Sequence, residues 1–465
     1  MQDSERSKFL GTMKMTRLVP TVSIPIMFSM LIQALYNVVD SIFVSRFDPN
    51  GLTAVSLAAP FQMLMIALST GMGTGINSLL SRRLGSRNTD EAHRASWNGL
   101  LIEVLGSCLF ILFGFFLVSQ TMSAVVSGNL SNAARIHAMG TDYLTIVTVL
   151  SPGLFLAIYF ERMLQATGNS MLSMVTQLCG ALTNIILDPI MIFGYLGFPA
   201  LGVAGAAVAT VIGQYVSAVI GFILNQRKNP ELKLLRSYFN INRSDLSAII
   251  SVGLPSTIMA SIGSVMNVGM NAILSGFEQS NAALNVMSVY FKLQSFIFMP
   301  VFGLSNGIIA ILAYNYGARI RERVYSCIKV ALVWACSIML VGTLVFLVFP
   351  GQLMAIFESE AEAEITAQMT EIGVVAMRII SSSLLLAAVG IMLSTVFQAV
   401  GKGVYSMIVS IARQLAVLLP VAWIIARLTG DVKAVWWCFP AAEIAALLIS
   451  LWFYQKVNRN MLSKI

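Results

Sequence analysis

Asp40 and Asp188 are carboxylic acids set inside long apolar stretches, in Tyr36-Asn37-Val38-Val39-Asp40 and in Asn184-Ile185-Ile186-Leu187-Asp188-Pro189. An ionisable side chain at the centre of a bilayer costs about 2.5 to 3.5 kcal/mol on insertion scales, so such a residue is a functional candidate by default. Counted from the predicted outer helix ends at 1.5 Å per residue, Asp40 lies roughly 9 Å deep, Asp188 roughly 12 Å and Thr210 roughly 14 Å. Asn184 and Asp188 are four apart and share a helix face. Pro189 removes a backbone donor and frees a carbonyl one turn back, which loosens the helix where a cation or proton would sit. Two carboxyls brought together away from water share a proton readily, which is the chemistry of proton-coupled export. Asp40, Asn184, Asp188 and Thr210 are therefore the candidate coupling residues. Na⁺ at Asp40 and Asp188 is the alternative occupant, and a purely structural pairing of each acid is the competing reading.

The other intramembrane charges divide by half of the chain. Lys292, Arg378 and Arg413 stand against Glu443 in the second half, and Lys292 lies at nearly the depth of the acids. Glu161 and Arg162 fall near the inner end of the fourth helix, where charges snorkel cheaply, and Glu161, with Glu103 behind it, is a candidate entry point for cations. Asn37, Glu161 and Lys292 are the candidate substrate contacts. His93 and His137 fall in or beside loops, so carboxylates must carry any protons. The five cysteines show no metal-ligand spacing and read as small buried hydrophobes. Gly71-Met72-Gly73-Thr74-Gly75 lacks the Lys-Ser/Thr of a phosphate loop, and close helix packing explains it better. With no nucleotide-binding or HExxH motif, no enzyme activity, metal or cofactor is expected.

These residues need a membrane scaffold. At 57% hydrophobic and 11% charged, the chain lies far from soluble domains, which carry about 25% charged residues. Twelve apolar runs are long enough to cross a core of about 30 Å: roughly 20–46, 52–80, 95–120, 140–166, 171–196, 201–225, 248–276, 283–315, 325–349, 369–399, 404–427 and 434–456. The chain also repeats itself about 232 positions on. Gly71-Met72-Gly73-Thr74-Gly75 with Gly85-Ser86-Arg87 returns as Gly303-Leu304-Ser305-Asn306-Gly307 with Gly317-Ala318-Arg319. Gln165-Ala166-Thr167-Gly168 returns as Gln398-Ala399-Val400-Gly401, and Pro25 with Asn37 as Pro255 with Asn267. The prediction is an all-α polytopic membrane protein of two six-helix lobes, residues 1–225 and 248–465, joined by a basic, partly amphipathic hinge at 226–247. Such repeats accompany alternating access.

The net charge of +8 does not point to nucleic acid, because the basic residues crowd alternate loops and leave the opposite loops only Arg46, Arg135, Arg427 and Lys433. This places both termini in the cytoplasm and relates the halves by an axis along the membrane normal. The first 19 residues carry six charges and read as no cleaved signal peptide. Glu358, Glu360, Glu362 and Glu364 read as a solvated helix start. The 26 Met and 26 Phe suit a pliable cavity, though lipid-facing packing accounts for most of them.

The chain resembles the multidrug and toxic compound extrusion (MATE) transporters over nearly its whole length. The resemblance rests on Pro25 with Asp40, on Gly71 to Gly75 followed by Ser81-Arg82-Arg83-Leu84-Gly85, on Phe160-Glu161-Arg162, on Asn184 to Pro189 and on Gly202 to Thr210. Tyr290 to Phe296 and Tyr314 to Ala318 are similar to the bacterial MepA-like branch. It implies a V-shaped pair of lobes in the cell membrane, among membrane lipids, that exports organic cations or other amphiphiles in exchange for H⁺ or Na⁺; since one chain supplies both lobes of the pathway, a monomer is expected. It also implies a coupling role for Asp40, Asn184, Asp188 and Thr210, a cation-binding role for Glu161, and a bend at Pro25 when Asp40 is protonated. Some sodium-coupled members carry acids in helices seven and ten; here helix seven has none and helix ten only Glu371 near its outer end, which favours protons. A flippase for lipid-linked saccharides or another anionic amphiphile is the rival on this fold, kept open by Lys292, Arg378 and Arg413.

Overall fold

The computed structural model describes residues 8–126, 132–356 and 363–465. Glu358, Glu360 and Glu362, and the side chain of Glu364, lie outside this description. Among the described residues ten helices are long and apolar enough to cross a membrane, and two bent pairs complete twelve spans. We label these α1 (Met15–Phe47), α2 (Pro49–Gly85), α3 (Thr89–Phe116), α4 (Ala133–Val149 with Pro152–Ala166), α5 (Ser170–Phe193) and α6 (Val203–Lys228). The second six are α7 (Arg243–Leu274), α8 (Ser280–Gly317), α9 (Arg321–Val348), α10 (Ala363–Ser381 with Leu384–Ala399), α11 (Gly403–Thr429) and α12 (Cys438–Asn460).

Local chemistry sets the helix ends. Asp48 caps α2 by accepting from the Asn50 N–H, with Pro49 at the first helical position, where its missing N–H costs nothing. Asn88 caps α3 by accepting from the Glu91 N–H. The apolar runs of the fourth and tenth spans each contain a break. α4 bends 45° ahead of Pro152, which has no N–H to continue the ladder. α10 bends 49° at Ser382 and Ser383, where the hydroxyls of Ser381, Ser382 and Ser383 bond the carbonyls three residues back and draw them from the helical ladder. In α11 a widened π turn spans Ala412–Leu418 just before Pro420. Pro25 and Pro189 lie within helices that run on through them.

The repeat persists in the backbone. The breaks of α4 and α10 fall at corresponding positions, and so do two non-glycine residues of positive φ, Arg87 and Arg319. Gly168 and Gly401 take φ of +79° and +84° after the fourth and tenth helices, a conformation that glycine adopts without strain.

The lobes meet along α2 with α7 and α1 with α8, and the contact also has repeat symmetry. A Cβ added at Gly71 would lie 2.5 Å from the Thr257 backbone nitrogen; one added at its counterpart Gly303 would lie 2.6 Å from the Met27 Cα. Gly85 abuts the Tyr314 carbonyl while Gly317 abuts that of Arg82. All these contacts lie in the helix halves nearer the basic loops, here termed the basic end.

The interlobe segment is shorter than expected, since α6 continues to Lys228 and α7 starts at Arg243. It is also tied down. His93 Nδ1 contacts the Lys233 carbonyl at 3.1 Å, Trp97 Nε1 donates to the Leu235 carbonyl at 3.0 Å, and Asn98 Nδ2 donates to the Asn240 carbonyl at 3.0 Å while its Oδ1 accepts from the Asn242 N–H. The segment is a strap across the start of α3.

Candidate functional site

Two glycines build the polar cluster of the first lobe. Gly180 of α5 and Gly213 of α6 face each other so closely that a Cβ on either would lie within 2.8 Å of the other's carbonyl oxygen. That approach sets Asn184 beside Thr210 one turn farther from the basic end. The Asn184 amide nitrogen donates to Asp188 Oδ1 at 3.1 Å and to Thr210 Oγ1 at 3.3 Å. Asn184 and Asp188 are buried, Thr210 half-buried. From α1, the Asp40 carboxyl comes within hydrogen-bonding reach of Asp188. All four expected coupling residues thus come together.

The cluster is short of donors. Asp40 Oδ1, Asn184 Oδ1, Asp188 Oδ2 and, one turn past Thr210, Gln214 Oε1 are buried oxygens with no hydrogen-bond partner. Buried acceptors without partners are uncommon in native proteins and each one calls for an explanation. Two ionised carboxylates can only accept; one proton between them makes one a donor. Oxygen atoms gathered in this way could alternatively ligate a hard cation.

The tyrosines beside the acids were not singled out from the sequence. Tyr36 and Tyr143 both lie in the electrostatic field of Asp40 and Asp188. Tyr36 bonds Gln33, and the Tyr143 hydroxyl donates to Gln62 Oε1 at 3.1 Å, fastening α4 to α2. Tyr36 was within reach of sequence reasoning, one turn ahead of Asp40; Tyr143 and Gln62 carry no such signal, because helix packing alone brings them here.

Glu161 belongs to a different site. Its two oxygens accept from Gln165 at 2.7 Å and Gln177 at 3.0 Å, and the Arg162 guanidinium donates to Gln165 Oε1 at 2.7 Å. Ser69 donates to the fully buried Glu103 at 2.9 Å, near Arg162. Gln177 and Asn184 lie about 10 Å apart along α5, so this network sits nearer the basic end than the acid pair. Asn37 is exposed, and Lys292 is likewise exposed, on α8 of the other lobe. Arg413 pairs with Glu443 at 3.2 Å on the π turn, and Arg378 is exposed. Among the described residues no group of three or more His, Cys, Asp or Glu side chains is placed to hold a metal ion.

Comparison with known proteins agrees with this architecture. The MatE family model matches twice, over residues 25–190 and 255–424, once in each lobe. The multidrug export protein MepA of Staphylococcus haemolyticus is 26% identical over 444 residues, covering 95% of this chain and 94% of that one. The MepA of Staphylococcus aureus strain MSSA476 is 26% identical over 438 residues, 93% and 92% of the two chains. A crystal structure of MATE in complex with MaL6 superposes with a TM-score of 0.89 at 25% identity, covering 99% of this chain and 100% of that one. A MOP superfamily transporter from Pyrococcus furiosus, described as having a binding pocket of reverse polarity, shares the fold with a TM-score of 0.90 at 24% identity over 100% of both chains. With one family match in each lobe and twelve spans between them, the chain belongs to the MatE family of multi-pass membrane transporters.

Proposed function

We propose that this protein is a proton-coupled antiporter that exports organic cations or related amphiphilic drugs across the cell membrane by alternating access. The observation that carries the reading is the Asp40–Asp188 carboxyl pair, held by Asn184 and Thr210 inside one lobe and short of donors. One proton satisfies it, and removing that proton leaves two like charges that repel at close range. Protonation is thereby linked to how α1 sits against α5. The imposed potential supplies about 2.3 kcal/mol per charge per 100 mV, to which a pH gradient adds. Pairing with Glu443 neutralises Arg413 locally, which takes one cation away from the cluster that an anionic headgroup of a flippase substrate would need. The MepA relatives bear the name multidrug export protein, which supports export of drugs as the cargo class. In this reading both termini are cytoplasmic, the basic end is the cytoplasmic side, each lobe moves as a unit in a monomer, and the glycine contacts describe the state closed toward the cytoplasm.

A second reading has Na⁺ as the coupling ion, ligated by the same unpartnered oxygens of Asp40, Asn184 and Asp188. Efflux of a fluorescent organic cation from proteoliposomes separates the two. A pH gradient alone should drive flux in the wild type and fail to do so in Asp40→Asn. Flux driven by a Na⁺ gradient at equal pH on both sides would replace the proton reading with the sodium one.

A further inference from the structure

An apolar groove runs down the outer side of the first lobe, apart from the acid cluster between α1 and α5. Its lower part, of about 490 Å³, is walled by Trp97 and Leu100 of α3, Phe160 of α4, and Val219 and Phe222 of α6. Its upper part, about 420 Å³, shares Tyr215 and Val219 with the lower and reaches Ile212. The two parts therefore form one channel along α6. From Ile212 to Gln226 it runs roughly 21 Å at 1.5 Å per residue, somewhat more than the depth of one leaflet, about half of a ~30 Å hydrocarbon core.

The interlobe strap closes the lower end. Leu234 lines the groove there, held between the two strap carbonyls that His93 and Trp97 engage. Cationic side chains gather at this mouth: Arg227 and Lys228 follow Gln226 at the end of α6, and Arg236 follows Leu234 by two residues; all three are exposed. Leu235, Phe239 and Ile241 of the strap are exposed apolar residues among them. Of the acids near this mouth, Asp90 accepts from the Tyr238 hydroxyl at 3.0 Å, and Glu231 of the strap is buried. Apolar length ending in an aromatic and a cationic rim is the chemistry of a lipid whose chain lies in the membrane and whose anionic headgroup sits at the interface.

We propose that this groove is a binding site for one anionic phospholipid, with an acyl chain along α6 and the headgroup against Arg227, Lys228 and Arg236. Because Leu234 belongs to the strap that joins the lobes, a bound lipid fastens the strap to α3 and α6. Neutral lipid fills the apolar part without the cationic contact, so the site discriminates by headgroup.

Native mass spectrometry of the full chain, released from nanodiscs of equal dioleoyl phosphatidylglycerol and dioleoyl phosphatidylcholine, tests this. The wild type should retain phosphatidylglycerol in preference, and each of Arg227→Gln, Lys228→Gln and Arg236→Gln should lower that preference by about fivefold if its side chain meets the headgroup. Val219→Trp, at a lipid-exposed position that leaves the core untouched, should lower retention of both lipids. Equal retention of the two lipids by the wild type would overturn the proposal, as would undiminished phosphatidylglycerol retention by Val219→Trp.

Discussion

Gly71→Ala offers a direct test of the interlobe contact. The new methyl would sit 2.5 Å from the Thr257 nitrogen and 2.8 Å from its Cα. Both atoms are backbone, so no rotamer change relieves the overlap, and α2 and α7 must part by about 1 Å to restore ordinary contact. Overpacking of this kind costs about 1 to 3 kcal/mol. In a state with the lobes apart at the basic end the methyl meets nothing there, so the cost falls on the closed state alone. The gain of up to about 1 kcal/mol from replacing a helical glycine applies to both states and cancels. The equilibrium should therefore move toward the state open at the basic end by roughly 5- to 150-fold. Double electron–electron resonance between spin labels at the exposed positions Thr89 and Arg321, in a chain whose five cysteines have been replaced, reads this as a longer-distance population. Gly303→Ala, which meets Met27 Cα at 2.6 Å, should shift it in the same direction. Gly73→Ala should not, since its methyl meets Arg162 and Ile158 inside the first lobe at 3.0 and 3.1 Å. Unchanged distances in both Gly71→Ala and Gly303→Ala, or an equal shift in Gly73→Ala, would refute the argument.

Asp188→Asn keeps the shape of the cluster and removes one acid, so pH-driven efflux should fall to background while the thermal midpoint stays close to wild type. Asn184→Ala withdraws the donor to Asp188 and Thr210, a loss of about 1 to 3 kcal/mol for the groups left unpaired; thermal unfolding in detergent should show a lower midpoint. Glu443→Gln leaves the Arg413 charge without its partner in a partly buried place and should destabilise by about 1 to 3 kcal/mol, discounted from a fully buried pair because both side chains retain some exposure; unfolding measured together with Arg413→Gln and the double variant isolates the pair. Trp97→Phe removes the bond to the Leu235 carbonyl, and limited trypsin digestion should cut at Lys233 and Arg236 faster than in wild type.

The sequence alone determined the membrane class, the duplication and which carboxyls stand in apolar surroundings, for physical reasons. Burying a charge in a bilayer is costly enough that Asp40 and Asp188 stand out against their apolar surroundings, and a duplicated scaffold preserves its glycines wherever backbones touch, so Gly71 and Gly303 revealed the repeat. The spacing of Asn184 and Asp188 gave their shared face. Only the tertiary structure decided the rest. The bend of α10 depends on serine hydroxyls drawing carbonyls from the ladder, a local competition that apolar periodicity does not register. Gln165 and Gln177, residues without charge, met both oxygens of Glu161 in a network that charge counting does not reveal. The segment read as an interlobe hinge lies as a strap on α3 because His93, Trp97 and Asn98 line one side of that helix and reach its backbone. Tyr143 came to the acids through the packing of α4 against α2. Periodicity along one chain records which side of a helix avoids water or lipid; which polar atom meets which is settled when separate helices come into contact.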